Sequence, residues 1–221
     1  MSYLEFLDKY KELIVSGTLV TVSLTISSAA LAILIAVFTG LMRTSSNVAL
    51  RSIATGYVEI FRGTSLLVQL YWIFFVLPLF GVTLEKFVAG FVAVGLNLGA
   101  YGSELVRGAI LSVARGQWEA ALALNLPPAR RMQRVILPQA LLIMLPSWGN
   151  LLVELMKGTA LVSLIAVSDL TFQAKLINTT TYLSAWSFGT ALVVYYVLAR
   201  FLITPAMRWL EELMKRKMGR A

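Results

Sequence analysis

The chain has 221 residues, 58% of them apolar and only 14% charged, against about 45–50% and about 25% in an ordinary soluble domain, so its composition points to the bilayer. With no cysteine and no histidine it lacks the residues for disulfides, thiolate metal sites, a cysteine nucleophile or a histidine-containing triad, and no metal or other cofactor is expected. A formal charge of +8 would suggest nucleic acid in a soluble protein, but here the basic residues are gathered in particular loops, which membrane topology explains better.

Residues 1–16 carry Glu5, Asp8 and Glu12 where a signal peptide would be basic, and no small-residue cleavage site follows a short apolar core. Tyr3, Leu4, Phe6, Leu7, Tyr10 and Leu13 instead suggest an amphipathic helix lying in the membrane interface. Crossing the hydrocarbon takes about 20 mostly apolar residues. Runs that meet this cover 17–42, 60–80, 87–106, 138–167 and 184–203, so the expected fold is an all-α integral membrane protein with about five transmembrane helices.

The membrane-spanning body then covers residues 17–205, followed by a basic tail over 206–221. Between the third and fourth runs, residues 107–137 hold Arg107, Arg115, Arg130, Arg131 and Arg134 against Glu119 and are too charged to cross. Arg43 and Arg51 mark the first loop, and Arg208, Lys215, Arg216, Lys217 and Arg220 mark the tail, against Glu211 and Glu212. The alternate side has only Lys9, Lys11, Lys86 and Lys175. The positive-inside rule therefore places the N-terminus outside and the C-terminus in the cytoplasm, with the 107–137 loop cytoplasmic.

That loop contains Gly116, Gln117, Trp118, Glu119, Ala120, Ala121 and, after three more residues, Asn125. Its Glu-Ala-Ala-Leu-Ala-Leu core is a strong helix former with small side chains that let a partner approach closely. Pro127 and Pro128 stop this helix and suit the first turn of the next. Bilayer physics requires no such detour, whereas a cytosolic partner explains it.

The pattern resembles the "EAA" loop of binding-protein-dependent ABC importer permeases: Glu119, Ala120, Ala121, Leu137 and Pro138 match at the family's spacing. Asn125 stands where the family has glycine and Val135 where it has isoleucine. Asparagine is among the few residues that enter the left-handed conformation readily, so the turn can survive. Phe61-Arg62-Gly63-Thr64-Ser65-Leu66-Leu67-Val68-Gln69 is similar to the "FRGTPLLVQ" segment of the polar amino-acid uptake branch, with Ser65 for proline. Residues 100–108 resemble its "AYxAEIVRG", and Gly149-Asn150 with Lys157-Gly158-Thr159 resemble its "GN…LKDTSLVS", with Gly158 for aspartate.

The resemblance implies a type I ABC importer transmembrane fold in a bacterial inner membrane, and a transport subunit rather than an enzyme. Its implied partners are an ABC ATPase subunit dimer, a second permease subunit (identical or paralogous) and an extracytoplasmic solute-binding protein. The implied solute is a polar amino acid of the histidine, glutamine or arginine type or a similar small zwitterion. An ectoine-type compatible solute is the alternative. Gly116, Glu119, Ala120, Ala121, Asn125 and Pro138 become the expected ATPase-coupling residues. The chain has no G-x-x-x-x-G-K-[ST] phosphate loop, so an ATPase driving it is another polypeptide.

Polar groups inside a span mark a solute path by default, and here they are Asn97, Asn150, Glu154 and Lys157. Pro146, Ser147, Trp148 and Gly149 are expected to disturb the fourth helix and free its carbonyls. Asn150 and Glu154 share a face; Glu154 either meets the ammonium of a zwitterion or pairs with Lys157. Asn97 and Gln69 are either pathway groups or an interhelical hydrogen bond, and Glu104 with Arg107 reads better as a helix-surface pair than as a ligand. Gly95, Gly99 and Ser103 form a small-residue packing stripe, and Trp72, Trp148 and Trp186 read as packing residues or, alternatively, as a cage for a quaternary cation. Two other classes remain open: a self-sufficient secondary transporter, which five spans do not split into equal halves to support, and an intramembrane enzyme with only Glu104, Glu154 and Asp169 to offer.

Overall fold

The computed structural model describes residues 2–218, and Arg220 of the basic tail lies outside the described residues. Among the described residues every regular element is helical. The first helix, α1, runs unbroken from Tyr3–Arg43, 41 residues or about 61 Å at 1.5 Å per residue. Residues 3–16 are therefore continuous with the first apolar run as one helix. Nothing between Glu12 and Gly17 interrupts the backbone, and a capping box at Ser2 and Glu5 starts the helix at its very beginning. Tyr3 and Phe6 pack edge-on against Trp186.

Asn47 caps α2 (Val48–Gly63), accepting from the backbone N–H of Ala49 at 2.9 Å. The chain then bends by 105° into α3 (Leu66–Tyr71) and its continuation to Phe80, so the apolar run 60–80 is not one straight span. Thr64 and Ser65 at the bend are extended, and neither continues the helix ladder. The central helix α4 (Lys86–Ser112) has 27 residues and extends past Val106, so the start of the 107–137 loop is still helical. Its buried positions run from Ala89 to Ile110 on nearly every face. A helix so enclosed by others needs less apolar character than one facing lipid, which is how Asn97 and its glycines are accommodated.

The small-residue stripe is where α1 lies along α4. A Cβ on Gly99 would fall 2.9 Å from Cγ2 of Ile35, and one on Gly102 would fall 2.7 Å from Cβ of Ala36. Beyond α4 come α5 (Arg115–Ala123), the single turn α6 (Pro128–Arg131) and α7 (Leu137–Gly158), which packs on α4. Pro146 sits inside α7 without breaking it, contrary to the sequence expectation.

Relief comes instead at three other prolines. Each of Pro78, Pro138 and Pro205 follows a widened π-turn, over Trp72–Val76, Met132–Ile136 and Leu198–Ile203 respectively. A proline ring lacks an N–H and collides with the carbonyl four residues back, and a locally wider turn accommodates both defects.

A 3-10 turn (Thr159–Ile165) ends the fourth run, and Asp169 caps the short α8 (Leu170–Thr181). Finally α9 (Ser184–Val197) passes through its π-turn into α10 (Thr204–Met218), so the first part of the basic tail is a helix packed on α7. Three stretches are long and apolar enough to cross a membrane alone: Tyr3–Arg43, Pro128–Ile165 and Ser184–Arg216. The bent pair Val48–Gly63 and Leu66–Phe80 qualifies when taken together.

Candidate permeation site and coupling loop

Polar side chains close the backbone at the bend between α2 and α3. Gln69 Nε2 donates to the carbonyl of Phe61 (2.9 Å) and to Oγ1 of Thr64 (2.7 Å). From α4, Asn97 Nδ2 donates to the same Phe61 carbonyl and to Oε1 of Gln69, both at 3.0 Å. A carbonyl in the last turn of α2, which a helix end leaves without a partner, is thus satisfied by two amides from different helices. Of the two sequence readings for Gln69 and Asn97, the interhelical hydrogen bond is the one formed.

Against this bend lies a cavity of about 490 Å³ whose walls include Thr64, Ser65, Asn97, Tyr101, Glu154 and Lys157. Glu154 and Lys157 are exposed side chains of α7, and no ion pair within 4.0 Å joins them or links either to another residue among the described residues. The local pair considered from sequence is therefore not made, and both charges remain free to meet a third party. Asn150, one turn before Glu154, is exposed on the same face of α7 but does not line the cavity. Gly158 lines it where the resembled branch carries aspartate, so no carboxylate adjoins Lys157 there.

Glu104 and Arg107 do form the expected surface pair, at 3.7 Å, but Arg43 (2.9 Å) and Arg62 (3.0 Å) bind the same carboxylate more closely. The three indoles make no common cage. Trp148 is buried against Gly102, Trp186 packs on Tyr3 and Phe6, and Trp72 stacks on Phe80 at 6.3 Å.

At the far end of α4, only Val113 and Ala114 separate it from α5. Ala121 is buried and anchors α5, while Gly116, Glu119 and Ala120 are exposed and Leu122 and Leu124 present 55% and 73% of their surface. Asn125 has φ +50°, and the N–H of Leu126 donates to the carbonyl of Ala121 while that of Asn125 donates to Leu122. This is a Schellman stop with asparagine in the position usually held by glycine. Pro127 and Pro128 then open α6, as their fixed φ favours. Two side-chain contacts tie α5 to the segment over 131–139: Gln139 donates to Gln117 at 3.0 Å, and Arg131 lies 5.9 Å from the ring of Trp118. Pro138 sits in the first turn of α7, directly after the π-turn over Met132–Ile136 that accommodates its ring and missing N–H.

Sequence reasoning passed over Asp169, except as a remote enzymatic candidate. Its Oδ1 accepts from the N–H of Phe172 at 2.9 Å and its Oδ2 from the hydroxyl of Tyr195 at 3.3 Å. Thr21 of α1 accepts from the adjacent N–H of Leu170, so the capped end of α8 joins α1 and α9. The signal was a solitary Asp just before a helical run, an N-cap pattern.

The family described as "Binding-protein-dependent transport system inner membrane component" matches residues 15–216. The chain belongs to this family. As a member it is a membrane permease component of an ABC importer, not an enzyme, and the family implies ATPase and binding-protein partners. A probable amino-acid ABC transporter permease of Sinorhizobium fredii is 42% identical over 207 residues, covering 87% of each chain. A putative glutamine transport system permease of Rickettsia bellii is 38% identical, covering 94% of this chain and 97% of its own. An L-cystine transport system permease of Bacillus subtilis is 43% identical over 154 residues, 70% of this chain and 66% of its own.

Among solved structures, one described as an amino acid ABC transporter with histidines superposes with a TM-score of 0.85 at 35% identity, over 98% of this chain and 99% of that one. A methionine ABC transporter superposes at 0.82 with 22% identity and shows the shared fold. The type I permease fold expected from the resemblance is thus the fold observed.

Proposed function

We propose that this permease subunit carries a polar amino acid or similar small zwitterion through the cavity beside the α2–α3 bend. One observation carries the reading: Glu154 and Lys157, of opposite charge and unpaired among the described residues, face the same 490 Å³ space. Residues three apart on a helix have Cβ atoms about 5–6 Å apart, so a carboxylate and an ammonium at this spacing can complement the two charges of an α-amino acid. The names of the relatives, which include glutamine and cystine permeases, support this class of solute. Asn97 shapes the site by holding the bend, and Asn150 extends the same polar face of α7.

On this reading α1, the bent α2–α3 pair, α4, α7 and α9 are five spans, with the N-terminus outside and α5 in the cytoplasm. The exposed Glu119, Ala120 and Leu122 of α5, with Leu124 at its C-cap, dock on a separate ATPase whose hydrolysis of ATP drives the bundle between two states. Two permease subunits, identical or paralogous, and two ATPase subunits complete the machine, with an external protein delivering solute.

The test is reconstitution with ATPase and binding protein, reading solute-stimulated ATP hydrolysis. Glu154→Gln and Lys157→Gln are each expected to lower stimulation by amino acids about tenfold, the scale of one lost charge-assisted contact. Unaltered stimulation in both variants overturns the site. A response to ectoine alone transfers the machinery to compatible solutes.

A further inference from the structure

Gly158 is the last residue of α7 and lines the cavity beside Lys157. Its backbone has no need of a glycine. A φ of −63° and a ψ of −27° are helical values open to any L-residue, and the chain runs on into the 3-10 turn without a left-handed stop. Packing has no need of one either. Outside its own turn of helix, a Cβ at 158 would have one atom among the described residues within 4 Å, Cδ2 of Leu66 at 3.4 Å. That is an ordinary contact, and Leu66 is itself a cavity wall. Helix stability favours alanine over glycine at such a position. What a side chain at 158 would alter is the cavity.

Charge in that cavity is balanced. Among the described residues that line it, only Glu154 and Lys157 bear a charge, one of each sign. Positions 154 and 158 are four apart and share a face of the helix. An acid at 158 would therefore stand beside Glu154, and two carboxylates one turn apart attract a second cation. Glycine leaves Glu154 alone. A further cation stands nearby, since the guanidinium of Arg62 lies 5.3 Å from the ring of Tyr101, another lining residue. Its carboxylate partner Glu104 is shared with Arg43 and Arg107, so three guanidinium groups there oppose one carboxylate. An amino acid whose α-ammonium meets Glu154 and whose α-carboxylate meets Lys157 finds no anion left in the cavity for a cationic side chain.

We infer that Gly158 is a specificity-determining residue: by leaving Glu154 as the one carboxylate of the cavity, it restricts the permease to zwitterions without a cationic side chain. This rests on the cavity being the solute's path, and it narrows the class of solute from polar amino acids in general to those of no net positive charge. Discrimination comes from what the site withholds. A solute that brings a second ammonium or a guanidinium must leave it unpaired in a space walled by protein, which costs more than the same group does in water.

The experiment takes the full chain purified with its ATPase, without binding protein so that no other chain selects the solute. Binding of labelled glutamine, ectoine and lysine is measured by equilibrium dialysis. Lysine is expected to bind about tenfold more weakly than the tighter of the two neutral zwitterions, the scale of one charge-assisted contact. Gly158→Asp is expected to raise lysine about tenfold relative to them, whereas Gly158→Asn, of the same size and uncharged, keeps the wild-type order. Should Gly158→Asp fail to elute as a folded complex, Lys157→Gln decides, since it too leaves the cavity with an excess negative charge and is expected to favour lysine relative to the neutral pair. Equal binding of lysine by the wild type, an unaltered order in Gly158→Asp, or the same shift in Gly158→Asn overturns Gly158 as the determinant. In each of those cases a loss of neutral binding in Glu154→Gln leaves the cavity standing as the path. Neutral binding that is absent, or indifferent to Glu154→Gln, overturns the path itself and the role of Gly158 with it.

Discussion

Asn97 donates a 3.0 Å hydrogen bond to Oε1 of Gln69, and both amides donate to the one carbonyl of Phe61, where α2 ends. A single residue of the central helix thereby fixes the 105° bend that makes one wall of the cavity. Asn97→Leu leaves that carbonyl with one donor fewer and Gln69 Oε1 with none from α4. The expected loss is about 1–2 kcal/mol, read as a lower thermal midpoint in detergent. A midpoint equal to wild type means that the bend is held elsewhere.

Close approach of α1 and α4 gives a second prediction. Gly102→Ala sets a Cβ 2.7 Å from that of Ala36 and 2.8 Å from the indole of Trp148, and is expected to destabilise by about 1–3 kcal/mol. Gly108, further along the same helix, has nothing within 4 Å of where a Cβ would stand. Gly108→Ala is therefore expected to stabilise by about 0.5–1 kcal/mol. Opposite shifts of the unfolding midpoint in the two variants check both statements at once.

Legibility in the sequence followed the kind of interaction concerned. The apolar runs, the Gly95–Gly99–Ser103 stripe and the Asn125 turn were readable, because each depends on neighbours in sequence or on one residue's own backbone preference. The 105° bend was not, although Gly63, Thr64 and Ser65 stand there, since its stability comes from Asn97, far along the chain on another helix. Pro146 misled for the converse reason: an isolated proline predicts a break, and α7 absorbs it within a packed helix. The site was legible as a set of residue types and not as a place. Nothing in the spacing of Glu154 and Lys157 says that they face the cavity rather than each other.

Two non-glycine residues in left-handed turns provide a paired test. Ala166 has φ +57° at the end of the 3-10 turn and is exposed, so Ala166→Gly removes backbone strain without removing packing. It is expected to stabilise by about 1 kcal/mol. Asn125→Val places a β-branched residue at φ +50° and is expected to loosen the end of α5, seen as faster amide exchange at Leu124–Leu126. Protection equal to wild type at those amides rejects the Schellman stop as the element holding the turn.

The outward face of α5 gives the last prediction. Leu122 and Leu124 are exposed and make no part of the packed core, so Leu124→Ser leaves the permease's own unfolding midpoint within about 0.5 kcal/mol. Co-purification of the ATPase is expected to fall severalfold, and to fall further with Glu119→Lys. Full retention of the ATPase by both variants removes α5 from the interface.

A π-turn amounts to one residue inserted into an α-helix, and it rotates everything downstream by about 100° about the axis. Between α9 and α10 that insertion falls at Leu198–Ile203. Ahead of it Ser187, Thr190 and Ala191 are buried and α9 packs on α8; behind it α10 packs on α7, with Met207 lying over Gly149. One continuous helical stretch thus changes partners halfway along. Deleting a single residue from the turn would return the stretch to one register, and the second half would then offer α7 the wrong side chains.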